Sequence, residues 1–171
     1  AERFLPEAKV VAITETTAGK TPLAERIAGA HLVLTSYTLL RMDEDAYTGY
    51  ARTLGRTIDE FTGEQSAPEG WGALLLDEAQ FVKNTGTRAW SIARARPART
   101  KIAMTGTPIE NNLMELWALL AIVADGLFPS ARAFRDLYAR PAESGEDPAH
   151  AAATTARLRR RIRPLMLRRT K

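Results

Sequence analysis

The sequence predicts an α/β fold, a parallel sheet flanked by helices with a helical C-terminal extension, and three observations carry that expectation. Four short apolar runs, at residues 10–14, 32–36, 73–77 and 102–105, have the length and composition of strands. Helical patterns separate them, near 23–28, 46–61 and 88–95. Strands alternating with helices pair in parallel through right-handed crossovers, which places helices on the sheet's faces. After Pro108 the pattern becomes helical.

The elements follow in order. Val10-Val11-Ala12-Ile13 is an apolar, β-branched opening strand. Ala18-Gly19-Lys20-Thr21 then stands between a strand and a helix, the setting of a phosphate-binding P-loop. Its glycines are missing: Thr14 and Thr17 occupy the positions where one is needed, and Pro22 removes an N–H from the helix start. A turn is the preferred reading. Residues 63–70 are a loop of turn-forming residues. The Leu74-Leu75-Leu76 run predicts a strand buried on both faces, with Asp77 and Glu78 at its carboxyl end. Ligands bind at that edge of open α/β sheets. Lys101-Ile102-Ala103-Met104 leads into a Thr105-Gly106-Thr107-Pro108 turn.

Residues 107–110 can form a capping box, and Asn111 or Asn112 is an equal candidate to cap an apolar helix at 113–123. Gly126 and Pro129 end that segment. Residues 140–150, with Pro141, Gly145 and Pro148, predict a flexible loop, and a last helix runs from about 152 to 163 before Pro164.

Composition bounds the function. With 171 residues, 45% hydrophobic and 26% charged, the chain can bury a core as a globular domain. The longest strongly apolar stretch, 116–124, is too short to span a bilayer, so no membrane contact is expected. The absence of cysteine excludes disulfides and thiolate zinc sites. His31 and His150 form no ligand pattern. The net charge of +4 hides an asymmetry: seven arginines, one lysine and no acid give residues 151–171 a charge of +8, leaving −4 on the rest. Such a basic end suits an anionic partner, or merely solvates a helix face. Leu158 and Ile162 share one face of that last helix, so arginines cover the remainder.

The Asp77-Glu78 pair suits nucleotide hydrolysis. An aspartate can hold Mg²⁺ through water, and the neighbouring glutamate can orient and polarise an attacking water. Gln80 offers a donor and an acceptor without acid–base chemistry. Trp71, Trp90 and Trp117 read as packing anchors rather than base-stacking platforms.

In order and spacing, the Asp77-Glu78-Ala79-Gln80 and Thr105-Gly106-Thr107-Pro108 strings resemble motifs II and III of superfamily-two helicases. With Lys83-Asn84, the 105–117 stretch ending in Leu116-Trp117, and the closing Leu167-Arg168-Arg169-Thr170-Lys171, the chain resembles the Swi/Snf family of ATP-dependent DNA translocases. The 32–40 segment is similar to its motif Ib region, Trp71 to the tryptophan before motif II, and Arg3-Phe4-Leu5-Pro6 to the segment after motif Ia. The resemblance implies a RecA-like lobe: residues 1–124 the distal part of the first ATPase lobe, 125–171 a helical extension and lobe exit. It implies ATP and Mg²⁺ as cofactors and double-stranded DNA and a second RecA-like lobe as partners. By residue, Asp77 holds magnesium, Glu78 activates water, and Gln80 couples, in place of the commoner histidine. Thr105, Gly106 and Thr107 link hydrolysis to lobe movement, and Ser36 and Tyr37 lie near the DNA. Arg157, Arg160 and Arg161 are further DNA-binding candidates, on the basic charge of their helix.

The family's P-loop belongs before Arg3 and its second lobe after Lys171, so a fragment of a longer parent is expected, inactive by itself. The parent is expected in the nucleus of a eukaryote or with the nucleoid in a bacterial cytoplasm, and not secreted. Two rivals remain: a non-catalytic nucleic-acid or partner-binding module that kept the fold without a P-loop, and a small phosphotransferase using Lys20.

Overall fold

A computed structural model describes residues 3, 6–54, 70–107 and 111–168. Val10–Ala12 (β1) and Leu32–Leu34 (β2) pair in parallel, with Val10 opposite Leu32. Trp71–Leu76 (β3) and Ala98–Ala103 (β4) form a second parallel pair, with Leu75 opposite Ile102. The architecture is α/β with short parallel sheets flanked by helices, arranged as two two-stranded sheets. Leu23–Arg26 (α1) connects the first pair and Arg88–Ala95 (α4) the second.

Short polar side chains start the helices. Ser36 opens Tyr37–Met42 (α2) by accepting from the Leu39 N–H at 3.2 Å. Thr87 caps α4 through the Trp90 N–H at 3.3 Å. Asn112, rather than Asn111, caps Leu113–Val123 (α5), accepting from the Glu115 N–H at 3.2 Å. Each such cap contributes about 1 kcal/mol. Glu44–Ala51 (α3) follows α2, and its partner is the buried Arg96 just after α4, whose Nη1 donates to Thr48 Oγ1 at 2.6 Å. Lys101 of β4 reaches the end of α4 and donates to the Arg94 carbonyl at 2.6 Å. A cation at a helix C-terminus satisfies carbonyls that the helix itself leaves open.

Between β1 and α1 the chain is a turn. The Lys20 N–H donates to the Thr17 carbonyl at 3.1 Å, and Gly19 takes φ +68°. The Lys20 ammonium is paired with Glu15, and Pro22 stands at the start of α1. The same connection is pinned from below by Asp43, only 6% exposed, which accepts from Thr16 Oγ1 at 2.6 Å and the Thr17 N–H at 2.9 Å. Burial works against its charge, but the bonds from Thr16 and Thr17 and the nearby Arg26 outweigh it, and its carboxyl lies below the usual aspartate range.

α5 is the centre of the core. Leu119 and Ile122 pack towards Leu76, Ala79, Val82 and Ala93, on the sheet side. Leu116, Trp117 and Leu120 pack towards Phe128, Phe134, Tyr138, Leu158 and Ile162, in the helical extension. The tryptophans are packing anchors: Trp90 Nε1 donates to the Ala118 carbonyl at 2.9 Å and Trp117 Nε1 to the Phe128 carbonyl at 3.0 Å. Trp71 packs at 5.4 Å between ring centroids against Tyr50.

The helical extension departs from the expected loop at 140–150. Ala131–Phe134 (α6) runs through a π-helical turn at Arg135–Ala139 into Arg140–Glu143 (α7). Pro141 has no N–H for the Leu137 carbonyl four residues back; the Arg157 guanidinium donates to it instead, at 3.2 Å. The final helix, Pro148–Ile162 (α8), starts four residues earlier than expected. Asp147 caps it, accepting from the Ala149 and His150 N–H groups at 3.0 Å each, and a proline is favourable at the first helical position.

One more expectation is corrected, and one helix is added. β3 is not covered on both faces: Leu74 and Leu76 turn to the core, while the paired Leu75 and Ile102 are 51% and 45% exposed. The chain also turns helical at Tyr37, because the Ser36 cap initiates a helix before the apolar periodicity shows one. The loop at 63–69, the later part of the 46–61 helix and the box at 108–110 lie outside the described residues. Among those described, no helix is long and apolar enough to cross a membrane.

Candidate functional site

β3 carries Asp77 and Glu78 past its last residue onto the surface, where both are exposed. β4 holds the turn that follows. The Met104 N–H donates to the Leu76 carbonyl at 2.8 Å, and the Ala79 N–H donates to the Met104 carbonyl at 2.9 Å. Between those two straps Glu78 adopts φ +47°, ψ +50°, the left-handed conformation, and no other non-glycine residue described has positive φ. For a residue with a Cβ this costs about 1–2 kcal/mol and persists only where the surroundings enforce it.

The enforcement is visible around it. The peptide joining Asp77 to Glu78 is held at both ends: its N–H donates to Asp77 Oδ1 at 2.9 Å, and its carbonyl accepts from the Tyr37 hydroxyl at 2.8 Å. Gln80 Nε2 donates to Glu78 Oε2 at 2.8 Å. Because a carboxylate only accepts, the Gln80 amide must present its nitrogen to Glu78 and its oxygen outward. That oxygen accepts from Thr105 Oγ1 at 2.9 Å, and the Thr105 hydroxyl in turn accepts from the Thr107 N–H at 3.1 Å. A relay of donors thus runs from the turn after β4 to the glutamate. Gly106 lies within this turn with open space around it.

A second bridge links the two exits. Glu115, near the start of α5, accepts from Lys83 Nζ at 3.3 Å, from Asn111 Nδ2 at 2.6 Å and from the Asn111 N–H at 3.1 Å. Glu143 of α7 reaches the same helix start and accepts from the Leu113 N–H at 2.6 Å. The start of α5 is therefore tied to both the segment after the carboxylates and the helical extension. Lys83 and Glu115 stand in the motif stretches, yet their contact across 32 residues has no local signal.

Asp77, Glu78, Gln80, Thr105 and Thr107 come together as one site. Tyr37 joins them: burial, then the negative charges of Asp77 and Glu78, push its phenol up to about 12, so it stays a neutral donor. Ser36 is occupied as the α2 cap. The three arginines lie apart, on α8. Arg157 stacks 5.1 Å from the Tyr138 ring centre and Arg161 4.8 Å from that of Phe128, and Arg161 also donates to the Tyr138 hydroxyl at 3.2 Å. Arg160 is exposed.

A hard divalent cation suits the Asp77 carboxylate, an exposed oxygen donor at a strand end. No group of three or more His, Cys, Asp or Glu side chains that could hold a metal ion by themselves occurs among the described residues.

Residues 2–171 match the family model described as SNF2-related domain. The chain belongs to the SNF2-related family. It is 32% identical over 148 residues to the chromatin-remodeling ATPase INO80 of Schizosaccharomyces pombe, covering 82% of this chain and 8% of that protein. It is 27% identical over 156 residues to the TATA-binding protein-associated factor BTAF1 of Arabidopsis thaliana, covering 87% of this chain and 7% of that one. Its fold matches the Sulfolobus solfataricus SWI2/SNF2 ATPase core in complex with dsDNA, with a TM-score of 0.69 and 25% identity over 99% of this chain and 30% of that one. This SNF2-related chain thus spans a minor part of each relative, and its fold matches the RecA-like SWI2/SNF2 core.

Proposed function

We propose that this chain is the distal part of the first motor lobe of an ATP-dependent double-stranded DNA translocase, with hydrolysis of ATP to ADP and phosphate coupled to movement on the duplex. The observation that carries this reading is the Glu78 carboxylate, held by Gln80 beside Asp77 at a strand end. Magnesium bound with the nucleotide would supply charge neutralisation at the phosphates, with Asp77 holding the ion through water. Glu78 orients and polarises the attacking water. Gln80, bonded to Glu78 and Thr105, passes the state of the site to the turn at Thr105, Gly106 and Thr107.

Duplex DNA and a second RecA-like lobe of the parent chain are the partners under this reading, with Ser36 and the exposed Arg160 as candidate DNA contacts. The phosphotransferase alternative loses its support, since Lys20 is paired with Glu15 in a turn. The ATPase reading is tested by Glu78→Gln in the full-length parent. Turnover with duplex DNA should fall about 10²–10⁴-fold while ATP still binds, because shape and metal ligation survive but the base does not. Turnover within a few-fold of wild type would remove Glu78 from this role and favour a binding module.

A further inference from the structure

We infer that Tyr37 is a positioning residue of the hydrolytic site, its hydroxyl locking the Asp77–Glu78 peptide in the orientation that keeps Glu78 left-handed. This rests on the hydrolytic reading above. The carbonyl of Asp77 and the N–H of Glu78 belong to one peptide plane. Rotating that plane by half a turn changes the ψ of Asp77 and the φ of Glu78 together. From φ +47° the rotation would carry Glu78 to the negative φ that L-residues prefer, with its ψ of +50° unchanged.

Two hydrogen bonds oppose it. One, from the Glu78 N–H to Asp77 Oδ1, is made by a side chain that must also serve the metal. The other comes from Tyr37, at 2.8 Å and forty residues away in sequence. A partly buried tyrosine hydroxyl seeks some acceptor in any fold. Here the acceptor it finds belongs to the one strained peptide of the site. The tyrosine is itself well placed: Ser36 caps its helix, and its ring packs against Phe81 at 5.8 Å and among Leu74 and Leu76. Met104 holds Ala79 from the β4 side, and Thr105 holds Gln80, which in turn holds Glu78; among the described residues Tyr37 alone holds this peptide from the β2–α2 side.

The test is Tyr37→Phe in the full-length parent, which keeps the ring and removes only the hydroxyl. With saturating duplex DNA, kcat should fall about tenfold, as sub-ångström misplacement of a reacting group does, with KM for ATP within about twofold and the melting temperature preserved. Phe81→Leu, which disturbs the ring contact and leaves the hydroxyl bond, should keep kcat near wild type. In a Glu78→Gln background the Tyr37→Phe change should cost nothing further, because it acts through Glu78. An unchanged kcat overturns the inference, and so does an equal slowing with and without Glu78. A loss of kcat that comes with a lowered melting temperature and is matched by Phe81→Leu assigns Tyr37 to packing alone, and also overturns it. A wild-type parent that hydrolyses no ATP fails differently, removing the hydrolytic reading and Tyr37's role with it.

Discussion

Thr105 donates to Gln80 Oε1 at 2.9 Å, so the turn after β4 reaches the Glu78 carboxylate through a single amide. Thr105→Val keeps the shape and removes the donor, leaving the Gln80 oxygen unpaired. In the parent, kcat should fall about three- to tenfold with little change in ATP affinity. Gln80→His should retain most of the rate, because an imidazole also carries a donor and an acceptor at opposite ends. Gln80→Leu should not. Steady-state kinetics on the three variants decide the point, and a leucine variant as fast as the histidine one would count against the relay.

The Asp43 carboxylate gives the fold a defined response to acid. Its folded value lies below the ordinary 3.8, so its contribution is present above that value and is lost as pH falls through the lowered one. Asp43→Asn should cost about 2 kcal/mol near neutrality, since hydrogen bonds to a charged acceptor are lost at Thr16 and Thr17. The gap between wild type and variant should close below pH 3.8. Urea unfolding at a series of pH values measures it.

The arginines of α8 divide into two kinds. Arg157 fills the Leu137 carbonyl and covers Tyr138, so Arg157→Gln should lower stability by about 1 kcal/mol. Arg160, exposed, should leave the melting temperature alone. Arg160→Gln should instead flatten the slope of log DNA affinity against log salt by about 0.9 if it meets a phosphate in the parent. Filter binding across a salt series reads this out, and equal slopes for wild type and Arg160→Gln would exclude such a contact.

Gly70 enters β3 at φ +75°, and a Cβ there would stand 2.6 Å from the Pro97 carbonyl oxygen. Gly19 has a similar φ of +68° with nothing within 4 Å. Both alanine variants carry conformational strain of about 1–3 kcal/mol, but only Gly70→Ala adds a backbone clash. Thermal melts should therefore rank Gly70→Ala below Gly19→Ala, and the reverse order would contradict the close approach.

Much of this was legible before any fold was drawn. The leucine run placed its two carboxylates at a strand end, and the missing glycines before Lys20 marked a turn, which it is. The motif stretches were sufficient to place the chain in its family. Helix starts were less legible where a proline or glycine stood near a cap. At Asp147 and Pro148 loop-like composition concealed a good N-terminus, because the same residues that break a helix inside it favour its first turn.

By itself the sequence determined where the described strands fall, the place of the Asp77-Glu78 pair at a strand end and the charge of the tail, all of which depend on residues within a few positions of one another. Only the tertiary structure decided what those residues touch. It turned Tyr37 to the Asp77 carbonyl, joined Lys83 to Glu115, and set Arg157 and Arg161 against aromatic rings. It also left Leu75 and Ile102 exposed where the apolar run had implied cover. The physical reason is range. Periodicity and capping act over one or two turns of chain, whereas a hydrogen bond across twenty or forty residues exists only after the core around α5 has packed and set the distance.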